Sequence, residues 1–454
     1  MNPTPRSPWL RLSSVLIVSS LALVPISKVR SEDAEQEKTV KQLFQFAWSQ
    51  TERAAAGEAF WPQFRGPQGD GSAFNAQPPT EWSETKNLLW KTAIHGQAWS
   101  SPVVWKDRIW MTTATPDGKS MSVVCCDLHT GKILLDRVVF TNQEVQKDHH
   151  ATNSYSSPTP VMDSERVYLH WGAYGTAALD ANTGASLWER RDLPCNHYRG
   201  PGSSPILFGN LLIFNMDGYD FKYVVALDKL TGKTVWKVDR DIDYGTADGD
   251  VHKAYTTPTL ITTPTGIQLV SASSKATIAY DPFTGKDLWR VRYNEYSTTA
   301  RPVFDGERVY LNSGFSKSHL LAVRPGKPGD GDITKTHVDW EVTRAISCKP
   351  SHSIAGDWIF SIEDKGILTC LLRKDGSQVW QERLGGDFSS SPIVADGKIY
   401  LFDHNGSGYV YLADGTKTLV AKNTLEDGCR ASPIAIGKKL IVRTVSSLYC
   451  FEQK

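Results

Sequence analysis

The chain has 454 residues, with 50 lysines and arginines against 49 aspartates and glutamates, and 40% of it is apolar. The balanced charge argues against a nucleic-acid partner, which needs basic residues in excess on one face, and the apolar share supports a folded core rather than disorder. Length alone suggests roughly two to four domains, and seven scattered cysteines exclude a disulfide scaffold.

Residues 1–31 carry the marks of an export signal. Arg6 and Arg11 precede the mostly apolar stretch Leu12 to Ile26, and Val29-Arg30-Ser31 offers small residues where a signal peptidase reads. Four serines and a proline interrupt the stretch, and it falls short of the ~20 apolar residues of a membrane span. No later run suits a span, so the mature chain is expected in the periplasm or outside the cell. Cys125 is the first cysteine, too distant to carry a lipid anchor at the cleavage site. Residues 32–58 place Val40, Leu43, Phe44, Ala47 and Trp48 near helical spacing. This predicts one amphipathic helix, packed on the main domain or offered to a partner.

From residue 60 onward the chain repeats. Ala178-Leu179-Asp180…Gly184…Trp188 recurs with identical spacing as Ala226-Leu227-Asp228…Gly232…Trp236 and Ala279-Tyr280-Asp281…Gly285…Trp289. Cys370…Gly376…Trp380 keeps the pattern, and Cys125-Cys126-Asp127…Gly131 keeps it with Leu135 in the last place. Tyr409…Gly415…Leu419 is a weaker copy, and Ala322…Trp340 is lengthened by a Gly/Pro-rich insertion over 325–331. Ser/Thr-Pro opens an apolar run before most copies, at Pro102, Pro158, Pro205, Pro258, Pro392 and Pro433. Arg301-Pro302 and Ser351-His352 are the degenerate forms. These eight positions span 331 residues in seven steps, about 47 residues each, the size of a propeller blade.

Each unit reads as four short strands. The run after Ser-Pro is the first, segments such as Arg166 to Leu169 the second, and Val224 to Asp228 the third. The Asp-x-x-Thr-Gly turn then leads to a fourth strand closed by tryptophan, its Asp bonding backbone N–H groups and its Gly taking a positive φ. The last unit stops one strand short at Cys450-Phe451, and an orphan strand, Leu88 to Lys91, precedes the first unit. Joining the two completes an eighth blade and removes an open edge. The expected fold is all-β: one eight-bladed β-propeller of four-stranded blades over residues 60–454, with a short N-terminal helix. Trp90, Trp188, Trp236, Trp289, Trp340 and Trp380 are its structural docking residues.

The Ala-x-Asp-x-x-Thr-Gly-Lys-x-x-Trp signature resembles the tryptophan-docking motif of the quinoprotein (PQQ-type) propeller superfamily. The opening Trp61-Pro-Gln-Phe-Arg-Gly-Pro67 with Gly69-Asp70-Gly71 is similar to the start of exported PQQ-like repeat proteins. That resemblance implies a ring of blades held by docked tryptophans. Its members include PQQ-dependent alcohol dehydrogenases and non-enzymatic propellers that assist outer-membrane protein assembly, and the motif belongs to both. The dehydrogenases are known for a vicinal disulfide beside the cofactor. Cys125, however, shares its repeat slot with Ala178 and Ala226, which favours packing for the Cys125-Cys126 pair.

Candidate chemistry sits before the repeat prolines. His95, His149, His150, His197 and His252 lie six to nine residues upstream of one, and His352 occupies a proline slot. Trp99, Tyr155 and Tyr255 lie three residues upstream, with Arg199, Lys253, Lys349 and Arg430 nearby. Asp217, Lys275 and Asp364 come from second-to-third-strand loops on the same face. Arg301 and His352 break the repeat without a packing reason, so they are expected to line one sector of the channel mouth. The residues offered for a ligand are therefore His95, Trp99, His150, Tyr155, His197, Arg199, Asp217, His252, Tyr255, Lys275, Arg301, His352, Asp364 and Arg430. No catalytic or metal set is assigned. Cys348 to His352 lacks the second cysteine of a haem motif, and no Gly-x-Ser-x-Gly, P-loop or H-E-x-x-H occurs.

Three functions compete. A binding or scaffold propeller, taking a protein partner or small ligand at the channel mouth, agrees best with blades of near-minimal length and points away from an enzyme. A PQQ-dependent oxidoreductase would need calcium ligands, a cation on the quinone and an aspartate base. Asp217, Asp220, Arg199 and Lys275 are residues of those types, but they match no catalytic motif. An aromatic and polar mouth would also suit a carbohydrate.

Overall fold

Alternating apolar residues and Asp/Gly turns fold each unit into an antiparallel sheet, and a computed structural model describes the result for residues 59–146, 149–315 and 317–453. The expected export signal and N-terminal helix lie outside the described residues. Eight sheets surround a central channel, each with four antiparallel strands stepping from channel to rim. Their innermost and outermost strands are Val103–Trp105 and Ile133–Thr141 in blade 1, and Val161–Met162 and Ser186–Arg190 in blade 2. Blade 3 has Ile206–Phe208 and Thr234–Asp239; blade 4, Thr259–Thr263 and Asp287–Arg292; blade 5, Val303–Phe304 and Val338–Val342. Blade 6 has Ser353–Ala355 and Gln378–Arg383; blade 7, Ile393–Ala395 and Leu419–Thr424. Blade 8 starts at Ile434–Ile436 and takes Leu88–Ala93 as its outermost strand, paired antiparallel with Ser447–Glu452. Helix among the described residues is limited to the short turns Gly249–Val251 and Thr334–His337. None is long and apolar enough to cross a membrane.

Tryptophan docking explains how blades adhere. The Trp188 indole N–H donates to Lys229 O at 2.9 Å, Trp236 to Pro282 O at 3.1 Å, Trp380 to Gly415 O at 2.9 Å and Trp90 to Leu128 O at 3.0 Å. Each acceptor belongs to the third-to-fourth-strand turn of the following blade. Gly232 shows why that turn needs glycine: its φ is +71°, and a Cβ there would lie 2.7 Å from the Trp188 ring. Opposite each docking residue stands the small slot, with Ala178 facing Trp188, Cys370 facing Trp380 and Cys450 facing Trp90. Cys125, Cys126, Cys195, Cys370, Cys429 and Cys450 are buried free thiols. In blade 4, Trp289 turns to Gln268 Oε1 at 2.8 Å instead and packs on Gly326. The insertion carrying Gly326 then lays Gly331–Asp332 parallel against the blade's outer edge.

Two registers differ from the sequence reading. In blade 2 the slot pair is Thr159-Pro160, not Ser157-Pro158, because the inner strand starts at Val161. In blade 7 the bulge pairs Val410 with Ala421, so Ala421 rather than Leu419 occupies the docking position. A methyl group cannot fill that joint. Trp82, from the segment leading into blade 8, fills it, with ring centroids 5.2 Å from Phe402 of blade 7 and 6.2 Å from Phe451 of blade 8.

The Ser/Thr slots form a girdle round the channel. The amide of each slot residue donates to the hydroxyl of the next blade: Ser432 to Ser101, Ser101 to Thr159, Thr159 to Ser204, Ser204 to Thr257, Ser351 to Ser391 and Ser391 to Ser432, all at 2.9–3.0 Å. Arg301 donates its amide to Ser351 in the same way at 2.9 Å. Only the link from Thr257 to residue 301 is lost among the described residues, because arginine offers no hydroxyl.

Residues 60–76 then close the channel from the face bearing the first-to-second-strand hairpins, called here the lower face. Phe60–Trp61 adds a strand to the inner edge of blade 1, and Ser72–Ala73 adds one to blade 7. Arg65 spans the gap between them, donating to Pro392 O at 3.1 Å, His352 O at 2.7 Å and Ser353 Oγ at 3.2 Å.

Candidate functional site

The opposite, upper face carries the connections between blades and the second-to-third-strand loops. The candidate residues there fall into two groups rather than one. In the first, the Arg430 guanidinium lies 5.0 Å above the Trp99 ring, and its Nη1 stands 2.9 Å from His404 Nδ1. His404 Nε2 in turn meets Ser389 Oγ at 2.8 Å. Burial, then the charges of Arg430 and Lys349, push His404 down to about 4, which keeps it neutral. Asp364 holds this sector by accepting the Cys348 amide at 2.9 Å and the Lys349 amide at 3.1 Å, with Lys349 Nζ at 3.2 Å.

The second group joins blades 2 to 4. Arg199 lies 4.5 Å over the Tyr198 ring and 3.8 Å from Asp250, and Lys253 pairs with the same carboxylate. The His150 amide bonds Arg199 O at 3.3 Å, and burial together with Arg199, Lys349 and Lys253 depresses its imidazole. Tyr155 packs on His149 at 4.5 Å and donates to Gln146 O at 3.2 Å. Beside this group opens a groove of about 980 Å³, lined by Gln146, Arg191, Asp192, Tyr198, Tyr219 and Asp220.

Other candidates serve the scaffold. His197 is buried, accepts the Ala173 amide at 2.9 Å through Nε2 and meets Cys195 Sγ at 3.6 Å; burial lowers it to about 4. Asp217 grips the buried Arg240 with both oxygens, at 2.6 and 2.8 Å. His252 is held by Thr246 O at 2.8 Å and stacks on Tyr244 at 4.3 Å. Lys275 bonds the Asn294 carbonyl, and Tyr255 packs over Gly202. His95 pairs with Asp136 on the outer strand of blade 1 at 2.9 Å, away from the mouth. The expectation that Arg301 and His352 line the mouth is corrected: both are buried under the lower closure. Arg301 reaches down to Phe64 O at 2.6 Å, and His352 lies beneath Arg65.

Sequence reasoning missed Tyr198, Tyr219, Asp250 and His404. The signal available for Tyr198 and Asp250 was the length of the connections that carry them, 191–205 and 240–258, whereas Tyr219 and His404 sit in short second-to-third-strand loops. Tyr198 also takes a φ of +58°, unusual for a side-chain-bearing residue.

The family profile described as outer membrane protein assembly factor BamB matches residues 82–219, 220–345 and 330–447. The chain belongs to this family. Among solved structures, BamB from Moraxella catarrhalis is similar at 14% identity, covering 81% of this chain and 97% of that one, with a TM-score of 0.56. Quinohemoprotein alcohol dehydrogenase from Comamonas testosteroni is similar at 12% identity, covering 91% and 84%, with a TM-score of 0.64. A europium-containing methanol dehydrogenase shares 12% identity, covering 89% and 100%, with a TM-score of 0.61. At such identities the likeness establishes the fold alone. No curated protein matches the sequence.

The family fold prompts the question of PQQ with calcium, and the residues present do not fit that pair. Calcium takes six to eight oxygen ligands, yet no three His, Cys, Asp or Glu residues converge among the described residues. Both Asp217 oxygens are held by Arg240, and Asp220 Oδ1 accepts the Asn196 and Phe221 amides at 2.7 Å each. Cys125 and Cys126 point into separate buried clusters on either side of blade 1, where burial pushes both thiols up to about 12.

Proposed function

We propose that this chain is an exported binding or scaffold propeller whose upper face receives a protein partner. The observation that carries the reading is that the upper-face charges are already held in pairs, one set of them beside an open groove. Asp250 is bound by Lys253 and Arg199, Asp364 by Lys349, and Arg430 rests on Trp99 beside a neutral His404. Groups fixed in this way offer shape, aromatic surface and oriented hydrogen bonds, as protein interfaces do. Export rests on the leader-like residues 1–31.

A photo-crosslinking residue at Tyr219, on the groove wall, tests this in the producing cell, with the same residue at the exposed Leu187 as control. A discrete protein adduct is expected at position 219 and not at 187, and it should weaken in Arg199→Ala. In parallel, PQQ with calcium should leave the melting temperature of the purified chain unchanged. A saturable shift with PQQ, or the absence of a position-specific adduct, overturns the reading.

A further inference from the structure

We propose that the half-enclosed cavity at the lower end of the channel binds a small organic carboxylate, with Arg301 holding the anionic head and the inner-strand ends of blades 2 to 5 covering the apolar body. The cavity holds about 390 Å³, and Met162, Phe208, Leu260 and Phe304 line it with the Arg301 guanidinium. Arg301 is buried, and among the described residues its charge meets only neutral acceptors: Nη1 donates to Phe64 O at 2.6 Å and Nε to Thr259 Oγ1 at 3.1 Å. Among the described residues no hydrogen bond engages Nη2 and no carboxylate lies within 4 Å of the guanidinium.

A second buried guanidinium lies beside it. Arg65 is likewise satisfied by carbonyls and a hydroxyl, and it raises the positive potential at Arg301. Asp70, which also lines the cavity, is the carboxylate at hand, and its Oδ1 accepts the Ser72 amide at 2.8 Å. Two guanidiniums against one carboxylate leave one positive charge uncompensated in a buried place, which is costly unless a counter-charge arrives. The lower closure is shaped round this charge. Gly69, at φ +73°, lays its backbone on the guanidinium so closely that a Cβ would lie 2.4 Å from its central carbon.

The break in the girdle points the same way. Seven slots hold Ser or Thr, and each of those hydroxyls accepts the slot amide of the preceding blade; at 301 the sequence forgoes that hydroxyl and supplies a charge aimed at a cavity. Such a local departure from a repeat marks function more often than packing. The apolar walls select a carboxylate with a hydrocarbon or aromatic body over an inorganic oxyanion, since only the former gains by burying its body there.

Calorimetry on the full mature chain tests this with octanoate, phenylacetate, octanamide and sulfate. Octanoate or phenylacetate should bind saturably, and octanamide and sulfate much more weakly. Arg301→Thr restores the repeat residue and offers a hydroxyl to the Thr257 amide, so it should fold. It should weaken carboxylate binding roughly 30-fold, the worth of a charge-assisted hydrogen bond. Leu260→Trp narrows the cavity without touching the charge and should weaken octanoate similarly, which keeps the test sound if Arg301→Thr misfolds. Absence of carboxylate binding, equal binding to Arg301→Thr, or sulfate binding as tight as octanoate would overturn the proposal. The adduct at position 219 should be unaffected by Arg301→Thr, so this site and the upper face can fail separately.

Discussion

Arg240, at the upper end of the joint between blades 3 and 4, and Arg301, at the lower end of the channel, are both buried and are held by opposite chemistry. Arg240 is gripped by both Asp217 oxygens and donates to Ser271 Oγ at 2.8 Å, while Ser271 donates to Asn215 Oδ1 at 2.7 Å. Asp217 holds it firmly charged, against the burial that opposes charge. Among the described residues Arg301 has a carbonyl and a hydroxyl only, and burial and Arg65 both press against its charge. A buried arginine with a carboxylate is a closed structural unit. One with a free Nη2 in a cavity retains the capacity to bind. The upper face thus uses its buried charge for cohesion, and the lower end keeps one available.

The largest effect expected from this difference follows removal of one partner of the closed pair. Asp217→Ala strands Arg240 without its counter-charge and should cost about 3–5 kcal/mol in chemical denaturation. The double change Asp217→Leu with Arg240→Met should recover most of that loss, because an apolar pair of similar volume avoids the desolvation cost. Arg301→Thr should leave stability near the starting value. Equal losses from Asp217→Ala and Arg301→Thr would erase the distinction between the two sites.

The N-terminal segment offers a second contrast, since residues 60–76 close the channel and residues 77–93 complete the ring. Trp82 replaces the docking tryptophan that Ala421 cannot supply, and it is 2% exposed between blades 7 and 8. Trp82→Ala should therefore cost about 3–4 kcal/mol, the range for emptying a buried aromatic site. It should do so without altering carboxylate binding at Arg301. A loss of under about 1 kcal/mol would mean that the joint closes without it.

The blade count and the docking residues were legible because they recur with fixed spacing, and the small slot opposite each tryptophan follows from strand register. The slot of blade 2 was not, because Ser157-Pro158-Thr159-Pro160 presents the signal twice, and only the amide of Ser101, bonded to Thr159, distinguishes them. The lower closure was invisible for a different reason. Arg65 meets partners 287 and 327 residues away, with no periodicity to reveal them. Arg301 and His352 were rightly singled out as breaks in the repeat, but spacing gives no direction, and a long side chain at the start of an inner strand can run down the channel as well as up. His404 escaped although Asp217, Lys275 and Asp364 come from the equivalent loops of other blades, because nothing in the spacing of its own loop shows that Arg430 and Ser389 meet it.

The smallest effect concerns His352, whose imidazole lies under Arg65 with both ring nitrogens unpartnered among the described residues. Burial, then the Arg65 charge, lowers it to about 3, against about 6.5 in an unfolded chain. Between those values the unfolded chain binds a proton that the folded chain refuses. The stability tied to a neutral His352 is therefore full above about pH 6.5 and is lost as pH falls towards 3. His170 and His197, lowered by burial to about 3 and about 4, act with the same sign. His352→Pro installs the residue found in the other seven slots and removes one share of this loss. It also removes two orphaned polar atoms, while the backbone carbonyl that receives Arg65 stays in place. The variant should gain about 1–2 kcal/mol near pH 5 and distinctly less at pH 7.5, read from denaturant midpoints at the two pH values. An equal gain at both would show that only the orphaned nitrogens matter. The guanidinium of Arg65 would then exert no field on the neighbouring slot, and the uncompensated charge assigned to the lower end of the channel would have to be screened there already.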